Sequence, residues 1–368
     1  MSLVTSSSGV LHPSRLSFTP GDRSGLGLTT IVGLSVLLVL CMLVATTIGA
    51  SNLSVADVVT LIWSSATGQL NTASVSGSVI LFEIRFPRVL TGALVGAALA
   101  TSGAVMQGLF RNPLADPGLI GVSAGAALFA GVIIVLGATV LSGLQAALGY
   151  FLLPIGAFIG ALCVTALLYR ISTHGGVTSI ATLLLAGLAV NALAGALLGI
   201  LIFISDDQQL RDLNFWQLGS LAGATWEKTQ IIAPLIMTTL LALFCLGRGL
   251  NALVLGESQA RYIGVSTQSL KRLGIVLVAL ATGSAVAVAG AIGFVGIIAP
   301  HLLRLIIGPD NRYLLPASAL LGGTFVVMAD AVCRVIVAPA ELPIGIVMAL
   351  AGAPFFLWIL LKRRGMLD

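Results

Sequence analysis

Charge is what this sequence has least of. Only 8% of its 368 residues are Asp, Glu, Lys or Arg, whereas a water-soluble domain carries about a quarter. So little polarity cannot cover the water-facing surface of a compact chain, which excludes an ordinary soluble fold. Cysteine is also scarce. The four present (Cys41, Cys163, Cys245, Cys333) stand singly in apolar stretches, which excludes a disulfide framework or a C-x-x-C zinc site and leaves them as small buried hydrophobes. Histidine occurs three times, at His12, His174 and His301, never in an H-E-x-x-H or other ligand cluster. His301, beside Pro300, reads as a packed or capping residue. Lysine also occurs only three times, and Lys228, Lys271 and Lys362 all lie outside any G-x-x-x-x-G-K-[ST] loop. If ATP drives this protein, another polypeptide hydrolyses it.

What the chain does have is apolar length. Hydrophobic residues make up 58% of it, and the mean hydropathy is +1.10. A spanning helix needs about 20 apolar residues to cross about 30 Å of hydrocarbon, so the rare charges become punctuation. Residues 1–27, with Arg15, Asp22 and Arg23, read as a disordered cytoplasmic tail and not as a signal peptide. Residues 28–368 form the membrane domain. The charge positions predict spans over residues 28–50, 89–110, 118–136, 148–169, 178–204, 229–246, 313–335 and 342–361. The uncharged run 273–303 covers two more, broken near 290–296. The fold class is therefore all-α, a polytopic membrane protein of about ten spans. Residues 51–88 are expected as a mixed loop, and 248–272 as the longest polar connection of the second half.

An even span number puts both termini on one side. Placed in the cytoplasm, they bring 13 of the 18 basic residues inside, in accord with the positive-inside rule. That rule also accounts for the net charge of +5 without a nucleic-acid partner. Small residues recur at four-residue spacing at Gly92/Gly96, Gly121/Gly125, Gly156/Gly160 and Gly195/Gly199, a pattern that lets helix backbones approach closely in lipid.

Within the spans the one carboxylate is Asp330, four residues before Arg334, so one helical face pairs them. A lone carboxylate is a poor basis for proton or sodium coupling, although a secondary transporter acting alone stays open as an alternative class.

Several stretches carry more than composition. These are Arg85-Phe-Pro-Arg88; Gly103-Ala-Val-Met-Gln-Gly-Leu-Phe-Arg-Asn-Pro-Leu-Ala-Asp-Pro-Gly118; Leu255-Gly-Glu-Ser-Gln-Ala-Arg-Tyr-Ile-Gly-Val265; Gly293-Phe-Val-Gly-Ile-Ile-Ala-Pro-His-Leu-Leu-Arg304; Gly308-Pro-Asp-Asn-Arg312; and Ala340-Glu-Leu-Pro-Ile-Gly345. Read locally, Glu257 and Arg261 at i,i+4 support a short helix that ends at Gly264. In this order, from residue 85 to the C-terminus, the motifs resemble the permease subunits of type II ATP-binding-cassette (ABC) importers, which take up iron-siderophores, cobalamin and haem.

The resemblance implies a homodimer in the bacterial inner membrane, with the translocation path along the dimer axis. It also implies two ATPase subunits on the cytoplasmic face, which bind Mg-ATP, and one periplasmic binding protein outside. The chain itself would bind no cofactor or metal. Gly256, Glu257, Ala260, Arg261 and Gly264 match the helix that couples to the ATPase, within the segment 248–272. Arg85, Arg88 and Arg334 match arginines that dock the binding protein; snorkelling at helix ends is the alternative. The stretch Asp206-Asp-Gln-Gln-Leu-Arg211 with Phe215, Trp216 and Trp226 looks most like the haem branch. Haem is then the expected cargo, with an iron-siderophore or cobalamin as alternatives.

Overall fold

The computed structural model describes residues 23–49, 54–67, 75–338 and 340–364. The first described helix is α1 (Ser24–Thr47), which starts four residues ahead of the expected span. The disorder expected of residues 1–22 lies outside the described residues.

The expected loop 51–88 is largely helical. Helix α2 (Val55–Thr67) starts at a capping box, with Asp57 N–H donating to Ser54 Oγ (3.1 Å) and Ser54 N–H to Asp57 Oδ2 (2.9 Å). Its Val58 and Leu61 pack on Leu81, while Trp63 on the other side is 71% exposed. Helix α3 (Val75–Val79), a π-helical turn (Ile80–Arg85) and helix α4 (Phe86–Phe110) then run on as one rod. In the π turn Phe86 N–H reaches Leu81 O, five residues back. This widened turn stands directly before Pro87, where a proline ring would crowd an ordinary α-turn. Arg85 and Arg88 therefore lie inside a helix, not at its opening. Charge marks a span boundary only when it must reach water, and these two guanidiniums have partners within the protein.

After a 3₁₀ turn (Pro117–Ile120) come α5 (Val122–Leu136), the short α6 (Ser142–Leu148), α7 (Leu152–Ser172) and, past a two-residue hairpin (β1 Thr173–His174, β2 Val177–Thr178), α8 (Ile180–Ile204). The polar connection that follows folds as α9 (Asp207–Leu218), capped by Asp206. Next are α10 (Trp226–Cys245), α11 (Gly247–Val254) and α12 (Glu257–Tyr262). The run 273–303 breaks as expected, into α13 (Thr267–Ala289) and α14 (Val295–Ile307). Helices α15 (Asn311–Ile336) and α16 (Ile344–Arg364) close the bundle.

Among the described residues seven helical segments are long and apolar enough to span a bilayer, and four shorter apolar helices accompany them, in α2 (Val55–Ser65), α5, α14 and α16. All but the α2 segment correspond to the ten expected spans. At 13 residues, α14 covers about 20 Å. The non-helical stretch 290–294 supplies the remaining depth and is buried or half-buried except at Gly293; irregular backbone at membrane depth is tolerated where protein covers it or where it lines a water-filled cavity.

The rod ending in α4 is the hub. Its apolar window is 94% buried, against 6% for α1, and it packs against α15, α13, α14 and α10. Lipid gives no hydrophobic drive between helices, so close backbone approach does the work. A Cβ at Gly96 would collide with Gly322 O, and one at Gly125 with Gly160 O. The spacing at Gly195/Gly199 serves no such contact, since open space faces both. Both described chain ends lie at one end of the bundle: Arg23 sits beside Gly308, which terminates α14, and α16 starts from the opposite end, where Ile344 N–H donates to Gly219 O (2.9 Å).

Candidate functional site

Charged groups gather at the two ends of the bundle. At the α2 end, Arg88 holds Asp330 of α15 through Nε (3.1 and 3.0 Å to Oδ1 and Oδ2) and Nη2 (2.8 Å to Oδ1), and donates from Nη1 to Glu341 Oε1 (2.9 Å). Arg334 Nε reaches Asp330 Oδ2 at 3.1 Å, the expected i,i+4 pair. Its Nη1 and Nη2 donate to Ile48 O (2.7 Å) and Ala45 O (3.0 Å), and Arg85 Nη1 donates to Thr46 O (2.6 Å). These carbonyls form the end of α1, where a helix lacks its own donors and carries partial negative charge.

Arg85, Arg88 and Arg334 lie at this one end of the bundle, but they do not snorkel and do not face outward. They are 4%, 7% and 6% exposed. Glu341, its side chain 39% exposed, is the cluster's opening to the surface. Glu341 stands in the Ala340–Gly345 motif, where sequence alone assigns it no role. Its only signal was being the one carboxylate between α15 and α16. Asp330, held by two guanidiniums, is occupied as a structural anion.

At the other end, Gly256 (φ 110°) precedes α12, and Gly264 (φ 87°) terminates it. The termination is a Schellman motif: Gly264 N–H donates to Arg261 O (3.0 Å) and Val265 N–H to Ala260 O (2.9 Å). Ala260 is fully buried and seats the helix. The expected Glu257–Arg261 pair is present but long, at 3.7 Å. Glu257's close partner is Lys271 of α13 (2.7 Å), whose side chain is only 5% exposed, and Arg261 Nε donates to Thr267 Oγ1 (3.1 Å). Lys271 Nζ also reaches Thr178 O (3.5 Å), and Thr178 N–H donates to Gln268 Oε1 (3.1 Å). Helix α12 is thus tied to α13 and, through it, to the α7–α8 hairpin. It presents Tyr262 (91% exposed) and Ile263 (62%) outward. Tyr262 and Ile263 are thereby linked to the first turns of α13 through the Glu257–Lys271 and Arg261–Thr267 contacts.

Between the ends, the α13–α14 break meets α4. Gly103 lies against the Gly296 backbone. Gln107 donates to Gly296 O (3.1 Å), and Arg304 donates to Gln107 Oε1. Phe294 takes a left-handed conformation (φ 67°) that a bulky residue adopts at a cost. His301 is buried, its ring edge-on to Phe355 at 6.5 Å. Among the described residues no three His, Cys, Asp or Glu could hold a metal ion. Of the tryptophans in the stretch that looks like the haem branch, Trp226 donates its indole N–H to Phe82 O (2.7 Å), and Trp216 is packed on the main core. Phe215 is the exposed aromatic of α9, at 55%.

Residues 37–362 match the FecCD transport family. The hemin transport system permease protein HmuU of Yersinia pestis is 47% identical over 285 residues, 77% of this chain and 84% of the relative. The cobalamin import system permease protein BtuC of Halobacterium salinarum is 44% identical over 289 residues, 78% of this chain and 75% of the relative. Among solved structures, a metal-chelate-type ABC transporter in an inward-facing conformation superposes with a TM-score of 0.79 at 34% identity, covering 91% of this chain and 99% of that one. These matches, on a bundle of apolar helices with a tethered helix at one end, fix the identity: the chain belongs to the FecCD transport family and is the multi-pass inner-membrane permease subunit of an ABC importer, whose ATP is hydrolysed by separate ATPase subunits.

Proposed function

We propose that this permease moves haem from the periplasm to the cytoplasm of a bacterium. The observation that carries the cargo assignment is the 47% identity to a hemin permease, against 44% for the cobalamin relative. The exposed Phe215 on α9 supports a flat aromatic cargo at the outer mouth. Cobalamin is the second reading, favoured by the near-equal similarity of that relative.

Two copies form the working unit, with the pathway between them. The open face of α8 supports this arrangement, because its unfilled small positions Gly195 and Gly199 suit close helix packing in lipid. The α12 end faces the cytoplasm, where Arg111, Arg170, Arg248, Arg261, Lys271, Arg272, Arg304 and Arg312 concentrate. ATPase subunits grip Tyr262 and Ile263 there, and α12 passes their closure to α13. This biases the bundle between two arrangements, the basis of alternating access.

The periplasmic binding protein docks at the α2 end. Because Arg85, Arg88 and Arg334 are buried, docking through them requires exchange of an internal carboxylate for one from the partner, with Glu341 the nearest to yield. Proteoliposomes holding the permease, its ATPase and its binding protein test the cargo. ATP-dependent accumulation of haem and not of cobalamin is expected, and the reverse transfers the assignment.

A further inference from the structure

The α12 end carries a group of arginines that neither coupling nor transport accounts for. Arg304 projects from the last turn of α14 and is half-buried. Its one hydrogen-bond partner among the described residues is the neutral Gln107 amide. Arg111 forms the left-handed cap of α4 (φ 49°). Both line one cavity of about 250 Å³, and among the described residues no carboxylate stands within ion-pair distance (4.0 Å) of either.

A second cavity, of about 430 Å³, adjoins the first across Val254 and Pro309 and is lined by Arg23, Arg312 and Asp310. Asp310 is held by Arg312 (2.6 Å) and by Asn251 (2.7 Å). Four arginines thus surround two joined cavities with one carboxylate already paired. Like charges sharing a partly dry site repel, and other buried guanidiniums of this chain avoid this by pairing, as Arg88 and Arg334 do with Asp330.

We propose that this site binds a phosphate group, held by Arg304 and Arg111 and flanked by Arg23. Guanidinium forks match phosphate oxygens in geometry and charge. The surroundings favour a lipid source. Arg23 stands at the start of α1, whose next turns are open to the bilayer (Leu28 59% and Val32 58% exposed). Basic pockets between spans at the cytoplasmic surface receive anionic headgroups. A soluble phosphate entering from the aqueous side supplies the same chemistry.

The test uses the full-length permease in nanodiscs of phosphatidylcholine, with and without phosphatidylglycerol, and measures lipid retention by native mass spectrometry. Preferential retention of phosphatidylglycerol is expected, weakened about fivefold for each arginine removed, since each is worth about 1 kcal/mol near the surface. The variants are Arg304→Gln and Arg111→Asn. The second replaces an exposed side chain, and asparagine tolerates the left-handed backbone there, so it serves if the first fails to fold. In phosphatidylcholine alone, a rise in Tm with inorganic phosphate over chloride at equal ionic strength assigns the site to a free anion. Equal retention of both lipids with no phosphate effect overturns the proposal, as does unchanged behaviour in Arg111→Asn.

Discussion

Arg88 and Asp330, on two helices that cross at the hub of the bundle, meet fork to carboxylate with contacts of 2.8, 3.0 and 3.1 Å. That one pair orders the α2 end, because Asp330 also carries Arg334, and Arg334 carries the end of α1. Asp330→Ala leaves two guanidiniums buried without their shared anion. Removing one partner of a buried pair costs about 3–5 kcal/mol, and thermal unfolding in detergent should show that loss. Replacing Arg88 and Asp330 together by apolar residues of similar volume should restore only part of it, because Arg334 stays buried without its carboxylate.

At the α12 end the link is lighter, and its loss should read out in function. Glu257→Gln removes the counter-charge of the buried Lys271 ammonium but keeps an oxygen acceptor at the 2.7 Å contact. ATP hydrolysis should continue while cargo moved per ATP falls severalfold. Proline at position 257 is a poor probe, because the first helical position after Gly256 accepts proline.

Gly264→Val forces a β-branched residue into φ 87°, where an L side chain costs about 1–2 kcal/mol. The Schellman termination should loosen, Tyr262 and Ile263 lose their fixed presentation, and ATPase subunits bind more weakly in pull-down from membranes. Stability of the spans should be unchanged.

These expectations mark where sequence and structure part. The spans were legible because lipid demands apolar length and nothing else in the chain is that apolar. The 290–296 break was legible because glycines interrupt an uncharged run too long for one helix. The α12 helix and its glycine stop were legible because both signals are local.

Arg85 and Arg88 misled for a specific reason. In sequence a charge reads as a span boundary, yet a paired guanidinium need not reach water, and the partners of Arg88 and Arg85, Asp330 and Thr46, lie far away in sequence. Glu257 was matched to Arg261 by helical spacing, while its nearer partner Lys271 depends on how α12 folds back onto α13. Helix α2 did announce itself, by Ser54 and Asp57 at capping-box spacing, and was hidden by the charge-based reading of its neighbourhood.

Asp310 gives a pH signature. Burial raises its pKa, but hydrogen bonds from Arg312 and Asn251 outweigh this and hold it down at about 2. A carboxyl depressed below its unfolded value of about 3.9 stabilises the fold above that value, and the contribution is lost as pH falls towards 2. Asp310→Asn should therefore flatten the fall in Tm between about pH 4 and pH 2, measured by the unfolding of purified protein.

The central claim is that this chain guides cargo across the bilayer and draws its energy from a separate ATPase. The direct measurement is cargo accumulation against a gradient in sealed proteoliposomes containing the permease alone, then with ATPase subunits, binding protein and internal Mg-ATP added. The account predicts no uphill movement in the first case and ATP-dependent accumulation in the second. Uphill transport by the chain alone, driven by an ion gradient, would contradict it.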